Sequence, residues 1–196
     1  MLSEQEIIRR EKLNKLREYG LDPYPAALFP VNTYTSKIIS DFTDNQSVSI
    51  AGRLMSRRIQ GKASFAEIQD SQGKIQLYFN RDIICPSEDK LMYNEVYKKL
   101  LDIGDIIGIE GNLFTTKVGE KTISVKKFTV LSKSLRPLPL PKSDSEGNVF
   151  DEFTDPELRY RQRYVDLIVN PKIKETFLKR TKIINIIRSF FNDKEY

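Results

Sequence analysis

Histidine is absent from this chain of 196 residues, and so is tryptophan. Without histidine the chain cannot build a Ser/His/Asp or Cys/His catalytic set or a histidine-based zinc site. Cysteine occurs once, at Cys85, which excludes an internal disulfide and a multi-cysteine metal cluster. A lone cysteine usually packs in the core. We therefore expect no catalytic residue and no metal site within this chain.

Runs of apolar residues are short, and none approaches the roughly 18 residues that a membrane-spanning helix needs. The opening residues, MLSEQEIIRREK, are too acidic for a secretory signal or a transit peptide. Together with the single cysteine, which fits a reducing compartment, these absences predict a cytoplasmic protein with no membrane contact.

Charged residues are abundant in the chain, at 30% of its length. It carries 32 lysine and arginine residues against 27 aspartate and glutamate residues, a net charge of +5 at pH 7. This basic balance favours a polyanionic partner, with nucleic acid as the first candidate, provided that the positive charge is locally concentrated. The other interpretation is a surface that is merely soluble. A hydrophobic content of 39% is enough for a globular fold.

The N-terminal region, residues 1–44, has the pattern of two helices. Ser3 and Glu6 form an S-x-x-E capping box, and Gly20 stands where the first helix would end. TSKIISDF predicts a short second helix. The polar side of the first helix carries five cations, which can meet phosphates or form an ordinary solvated face. They are Arg9, Arg10, Lys12, Lys15 and Arg17.

From residue 47 onward the apolar period becomes that of strands. The five predicted strands are residues 47–58, 63–70, 74–80, 104–114 and 121–131. EDKLMYNEVYKKLLDIG predicts a helix between the third and fourth strands. Three strands, a helix and two strands is the order of a five-stranded, partly open OB-fold barrel, which we assign to residues 45–133. An SH3-like barrel or a split sheet can begin in the same order.

Residues 134–150 are rich in Pro, Ser and Gly and predict an extended linker. Beyond it, DPELRYRQRYVDLIVN predicts a helix, and Asn170 with Pro171 predicts the cap and first position of a final helix. Its apolar residues form one broad stripe. They are Ile173, Phe177, Ile183, Ile184, Ile187, Phe190 and Phe191. We expect a missing domain or a second subunit to cover this stripe, the alternative being that it docks on the barrel.

Alternation in the second and third strands predicts an aromatic ring on the outside of the barrel. The inward residues are Ala66, Ile68, Ile75, Leu77 and Phe79. The same alternation leaves Phe65 and Glu67 outward, beside Gln76 and Tyr78 of the partner strand. The other interpretation is that the N-terminal helices cover Phe65 as ordinary core.

An OB-fold binds oligonucleotides across this face, between the loops that join strands 1 to 2 and 4 to 5. In this chain those loops bring Arg58 and Glu120 to the same surface. A base that stacks on Phe65 gains about 1–3 kcal/mol whatever its identity. The alternatives are that Arg58 is simply solvated and that Glu120 suits a turn beside Gly119.

Hydrogen bonds from the same surface would select uracil. Uracil has an N3 donor between two carbonyls, so Gln76 can donate and accept, Arg58 can donate to a carbonyl, and Glu120 can accept from N3. Cytosine has an acceptor at N3, which would face the carboxylate unfavourably. The four residues therefore predict a preference for uracil over cytosine.

Several stretches of the chain resemble the N-terminal part of class II lysyl-tRNA synthetases. They are GRLMSRRIQGKASFAEIQDSQGKIQLY, LDIGDIIGIEGNLFTTKVGE, LRPLP and LRYRQRYVDLIVNP. The barrel is shared with the aspartyl and asparaginyl enzymes, whereas RYRQRYVDL after LRPLP points to the lysyl enzyme. The resemblance covers nearly the entire chain.

This resemblance implies an anticodon-binding domain whose partner is the anticodon loop of tRNA(Lys). Phe65 would stack on the central anticodon base, and its hydrogen-bond readout would come from Arg58, Gln76 and Glu120. The final helix resembles the opening of class II motif 1, so residues 151–196 would begin a truncated α+β catalytic domain. The complete enzyme would be a homodimer through that class II core.

The family reaction, lysine–tRNA ligation, uses ATP and Mg in the complete enzyme to activate lysine before its transfer to tRNA. This chain stops at NDKEY, before the proline that closes motif 1. The motifs that bind ATP and lysine in the family have no counterpart in this sequence. We therefore expect these 196 residues alone to be catalytically inactive and to bind no cofactor.

Two other functions remain open from the residues themselves. The basic charge and the strand order also fit a sequence-nonspecific single-stranded nucleic-acid-binding OB-fold protein. The apolar stripe of the last helix fits a module that serves chiefly in assembly.

Overall fold

The fold is that of a computed structural model, which describes residues 2–143, 149–150 and 153–195. The chain divides into two compact units, Met1–Pro137 and Leu138–Tyr196. Part of the predicted linker, residues 144–148, and the start of the predicted catalytic region, residues 151–152, lie outside the described residues. The predicted domain bounds stay a prediction.

The first unit begins with the two predicted helices. The first, α1, spans Glu4–Glu18 and starts at a complete capping box. The Ser3 hydroxyl accepts from the Glu6 N–H at 3.3 Å, and the Glu6 carboxylate accepts from the Ser3 N–H at 2.8 Å. Gly20, with a φ of 73°, follows the helix and lets the chain turn away. The second helix, α2, spans Thr35–Ser40.

Five strands then close into a barrel. They are β1, Ser47–Gln60; β2, Ala63–Gln69; β3, Lys74–Asn80; β4, Ile106–Thr115; and β5, Lys121–Ser132. Their order around the barrel is β1-β2-β3-β5-β4, and β1 pairs with β4 to complete it. The predicted OB-fold barrel is confirmed. It is closed rather than partly open, because β3 and β5 also pair, in parallel.

The helix between β3 and β4 packs its aromatic rings on the barrel core. A short helix, α3, spans Arg81–Ile84, and the predicted longer helix is a π-helix over Met92–Leu100. Tyr97 stacks on Phe79 with ring centroids 4.1 Å apart, and both side chains are fully buried. Cys85 is buried in the same core, as expected of a lone cysteine. Aromatic stacking therefore joins this helix to the inward side of β3.

A partly buried ionic network joins α1 to the end of the barrel. Lys12 and Lys133 each donate to the Asp102 carboxylate at 2.5 Å, and Lys133 also donates to Asp105 at 2.8 Å. Burial raises the pKa of Asp105. Burial also opposes ionisation of Asp102, but hydrogen bonds from the two lysines bring the pKa of that carboxyl below its ordinary value.

Neither interpretation of the basic side of α1, phosphate contact or a solvated face, describes two of its five cations. Arg9 is buried, and its guanidinium donates to the main-chain oxygens of Ser134 at 2.8 Å and Ile103 at 3.0 Å. Lys12 is paired with Asp102. Both cations attach the helix to the barrel, because main-chain oxygens and a carboxylate lie within their reach.

The second unit consists mainly of helices. They are α4, Pro156–Arg161; α5, Arg163–Val169; and α6, Pro171–Asn192. The single helix predicted for DPELRYRQRYVDLIVN is broken at Gln162, so α4 and α5 are separate. Two short strands, β6 at Lys142–Ser143 and β7 at Val149–Phe150, pair with each other. No helix in the described part of the chain is long and apolar enough to cross a membrane.

Asp166 lies at the centre of a polar cluster in this unit. Its carboxylate accepts from Arg159 at 3.0 Å, from Arg163, and from the Asn170 amide at 2.6 Å. Pro171 is the first residue of α6, as predicted, but the Asn170 side chain makes no capping bond to that helix. The prediction that Asn170 is the cap residue and Pro171 the first residue of α6 is confirmed, while the Asn170 amide donates to Asp166.

Most apolar side chains of α6 are exposed to solvent in this chain. The exposed ones are Leu178, Ile183, Ile184, Ile186, Ile187, Phe190 and Phe191. Ile173 and Phe177, nearer the start of the helix, are half-buried. The apolar surface is thus wider than the single predicted stripe, since Leu178 and Ile186 extend it around the helix.

Candidate functional site

The hairpin formed by β2 and β3 carries the predicted alternation. Phe65 pairs with Tyr78 and Glu67 with Gln76, and all four side chains are half-buried on the outside of the barrel. The intervening residues are fully or almost fully buried. They are Ala66, Ile68, Ile75, Leu77 and Phe79. The sequence prediction of which side chains face outward is confirmed for this hairpin.

Phe65 is not covered as a core residue. Its ring touches that of Tyr78, with centroids 5.2 Å apart and planes tilted by 47°. Tyr78 in turn meets the edge of Phe114 from β4 at 5.8 Å. The outer face therefore presents a row of three aromatic rings, in which Phe65 borders a cavity.

The cavity beside Phe65 has a volume of about 530 Å³. Residues from β1, β2, β3 and the turn between β4 and β5 line it. They are Ser56, Arg57, Arg58, Phe65, Ala66, Glu67, Lys74, Ile75, Gln76, Thr116, Val118 and Glu120. All four predicted site residues are in this set, so the fold brings together side chains that are 62 positions apart at the extremes, Arg58 and Glu120. The volume is suitable for one planar base with its ribose.

Arg58 reaches the outer face through a β-bulge in β1. The register of pairing with β2 shifts between Leu54 and Ser56, which makes Met55 an extra residue, and Leu54 and Met55 are both buried. Strict alternation would place Arg58 on the same side as Leu54. Past the bulge Arg58 instead pairs with Phe65 and is exposed beside it.

Glu120 closes the turn between β4 and β5. Its N–H donates to the Thr116 hydroxyl at 3.0 Å, and its carbonyl accepts from the Thr116 N–H at 3.0 Å. Gly119 has a φ of 87°, a conformation that favours glycine. The backbone of Glu120 is therefore held by the turn while its side chain stays exposed at the cavity. A turn role and a binding role are compatible at this position.

Two features of the cavity were not predicted from the sequence. Lys74 forms an ion pair with Glu67 at 2.9 Å, which places a cation and an anion together on the cavity wall. Val118 also lines the cavity although 90% of it is exposed. Val118 could have been found from the sequence, because it is an apolar residue in the same loop as Glu120, a predicted site residue. The Lys74–Glu67 pair follows from their neighbouring positions on adjacent strands.

In the described ranges no three His, Cys, Asp or Glu side chains come together as a possible metal site. The cavity instead combines a ring, an amide, a guanidinium and a carboxylate. These groups can stack on a base and form hydrogen bonds with its edge.

Two family models match the chain. Residues 48–131 match a model described as an OB-fold nucleic acid binding domain, and residues 155–196 match one described as class II tRNA synthetases (D, K and N). The first match covers the barrel and therefore the cavity. The second covers α4, α5 and α6.

Curated relatives match the whole chain or nearly all of it. The lysine–tRNA ligase of Christiangramia forsetii is 67% identical over 195 residues, which is 100% of this chain and 34% of the relative. That of Porphyromonas gingivalis is 56% identical over 200 residues, again 100% and 34%. That of a Thermoanaerobacter species is 47% identical over 191 residues, 96% and 36%. The chain spans about a third of the length of these relatives.

Proposed function

We propose that the barrel of this chain, which belongs to the class II lysyl-tRNA synthetase family, binds the anticodon loop of tRNA(Lys) and reads the central uracil. The observation that carries the proposal is the single cavity that collects Phe65, Arg58, Gln76 and Glu120. These residues come from three strands and a turn.

Each side chain has a separate task in the proposed reading. The base stacks on Phe65, whose ring lies against that of Tyr78 on the neighbouring strand. The Gln76 amide donates to one carbonyl oxygen of uracil, and Arg58 donates to the other. The Glu120 carboxylate accepts from the N3–H of uracil and repels the N3 lone pair of cytosine. Stacking thus supplies affinity, and the polar groups supply identity.

We propose that the complete protein is a lysine–tRNA ligase that uses ATP and Mg, acts in the cytoplasm and forms a homodimer. The relatives' names and the match over residues 155–196 support this proposal. The exposed apolar side chains of α6 support the dimer. We expect ATP and Mg to bind in the part of the complete protein that this chain does not span, so that these 196 residues alone are inactive.

Titration with two anticodon stem-loops tests the reading of uracil. A loop with UUU should bind more tightly than one with UCU by about 1 kcal/mol or more, roughly fivefold, because a wrong base edge leaves polar groups unpaired. Fluorescence anisotropy at fixed salt measures both affinities. Equal affinities would contradict the proposal.

Two variants separate stacking from identity. Phe65→Ala should weaken both loops by about 1–3 kcal/mol and leave their ratio unchanged, because stacking does not depend on the base. Gln76→Ala should mainly abolish the preference for UUU, so that the two loops bind with similar affinity. Tyr19→Ala is the matched control, because Tyr19 is an exposed aromatic residue at the end of α1 that does not line the cavity. Its affinities should equal those of the unmodified chain.

A second candidate function is sequence-nonspecific binding of single strands. The row of Phe65, Tyr78 and Phe114, together with the net charge of +5, favours it. Stacking surfaces accept any base, and such binding weakens steeply with salt. This function predicts equal affinity for UUU, UCU and unrelated single strands, whereas anticodon reading does not.

A further inference from the structure

The two neighbouring arginines of β1 point to opposite sides of the strand. Arg57 pairs with Ala66, whose side chain faces the barrel interior, and Arg58 pairs with Phe65 on the outer face. This assignment depends on the bulge at Met55, because without the extra residue the two arginines would exchange sides. Something must therefore favour the bulged register over the regular one.

In the bulged register Arg57 reaches Tyr97 of the π-helix between β3 and β4. Its guanidinium donates to the main-chain oxygen of Tyr97 and lies 5.6 Å from the centroid of the Tyr97 ring. Tyr97 is near the end of the π-helix, where carbonyl groups lack partners within the helix. A guanidinium suits this negative helix end and the face of a tyrosine ring.

The Tyr97 ring is tightly packed on both sides. It is fully buried between Phe79, at 4.1 Å, and Tyr93, at 5.4 Å. The small side chain of Ala66 opposite Arg57 leaves room for the arginine stem. An arginine held to such an anchor restricts the strand on which it lies, including the next residue.

We propose that Arg57 is a positioning residue for base recognition. By binding Tyr97 it holds β1 in the bulged register and so keeps Arg58 beside Phe65, where Arg58 can donate to the base. This inference rests on the proposed reading of uracil. Arg57 also lines the cavity, so the competing role is direct contact with RNA phosphate.

A double-mutant cycle on the full chain tests the inference. The variants are Arg57→Met, Arg58→Met and both together, titrated with UUU and UCU stem-loops. If the unmodified chain prefers UUU about fivefold, each single variant should reduce that ratio to twofold or less, and the double variant should reduce it no further. An Arg57→Met variant that keeps the fivefold ratio, or single effects that multiply in the double variant, would overturn the inference.

Salt dependence separates positioning from phosphate contact. Loss of one phosphate contact lowers the slope of log affinity against log salt by about 0.7 for a single strand and weakens both loops equally. Positioning predicts that Arg57→Met leaves this slope unchanged while it changes the UUU to UCU ratio. A reduced slope with an unchanged ratio would show a direct contact and overturn the inference.

The conservative variant Arg57→Lys covers the case in which Arg57→Met does not fold. Lysine can still donate to the Tyr97 oxygen, so at least half of the discrimination should return. A folded Arg57→Lys with no discrimination would overturn the inference. If the unmodified chain binds UUU and UCU equally, the proposed function and this inference both fail. If the unmodified chain prefers UUU and the Arg57 variants keep that preference, the inference fails while the proposed function stands.

Discussion

Phe65 is held in place by the neighbouring aromatic rings of the barrel. Its ring lies against Tyr78, and Tyr78 lies against Phe114. A ring that is already restricted loses less conformational entropy on binding than a free one. In the proposed reading Tyr78 and Phe114 therefore support the ring on which the base stacks, and Phe65 is the member of the row that borders the cavity.

Val118 offers a test of the cavity that does not disturb the fold. The residue lines the cavity but is 90% exposed, so its side chain contributes little to stability. Val118→Asp adds a negative charge where an anionic loop is proposed to bind. We expect the affinity for the UUU stem-loop to fall about fivefold to tenfold, with an unchanged thermal midpoint. Anisotropy titration and circular dichroism measure the two quantities.

Leu28→Asp is the control for this prediction. Leu28 is 95% exposed and does not line the cavity, so the substitution makes the same change of charge elsewhere on the barrel unit. Its affinity should stay within about twofold of the unmodified chain, because an exposed distant charge is screened by salt. Equal losses from both variants would show that only overall charge matters.

At the scale of elements, α1 depends on a carboxylate for its attachment to the barrel. Asp102 accepts from Lys12 of the helix and from Lys133 after β5. Asp102→Asn should lower the free energy of unfolding by about 1.5–3 kcal/mol at pH 7, because hydrogen bonds to charged groups are lost and two lysines keep their charge. Urea unfolding followed by circular dichroism measures this change.

The effect of Asp102→Asn should depend on pH. The folded-state pKa of Asp102 lies below its ordinary value of 3.8, so its stabilisation is complete above that pH and is lost as the pH falls through the folded pKa. The difference between the two proteins should therefore shrink below about pH 4. Asp105, whose pKa burial raises, is present in both proteins. A difference that stays constant down to pH 2 would contradict the assignment.

Glu95→Gln is the matched control at the same scale. Glu95 forms an ion pair with Lys99, whose side chain is 64% exposed. Exposed pairs of this kind contribute little to stability because water screens them. The variant should therefore change the free energy of unfolding far less than Asp102→Asn does.

At the scale of the molecule, the barrel unit contains both a complete core and the whole cavity. Every residue of the cavity lies within Met1–Pro137. A chain ending at residue 137 should therefore fold cooperatively and bind the UUU stem-loop within about twofold of the full chain, since site and core are intact. Thermal unfolding and anisotropy measure this. Loss of cooperative unfolding, or a loss of the UUU preference, would show that the second unit is required.

The barrel could be predicted from the sequence because each strand alternates between the core and the surface. The five predicted strands lie within three residues of the observed bounds, and the outward positions of Phe65 and Gln76 are confirmed. The position of Arg9 could not be predicted. Its three-dimensional neighbours, the carbonyls of Ile103 and Ser134, are more than 90 residues away in the chain.

By itself the sequence determined the strand order, the capped first helix, the family and the outward face of the β2–β3 hairpin, because these depend on local periodicity and short motifs. Only the tertiary structure decided the closure of the barrel and the side of the strand on which Arg58 lies. Closure requires pairing between distant strands. The bulge at Met55 shifts the alternation of β1 by one residue. The residues that contact the strand around the bulge lie far along the chain: Ile68 pairs with Leu54, and Tyr97 contacts Arg57.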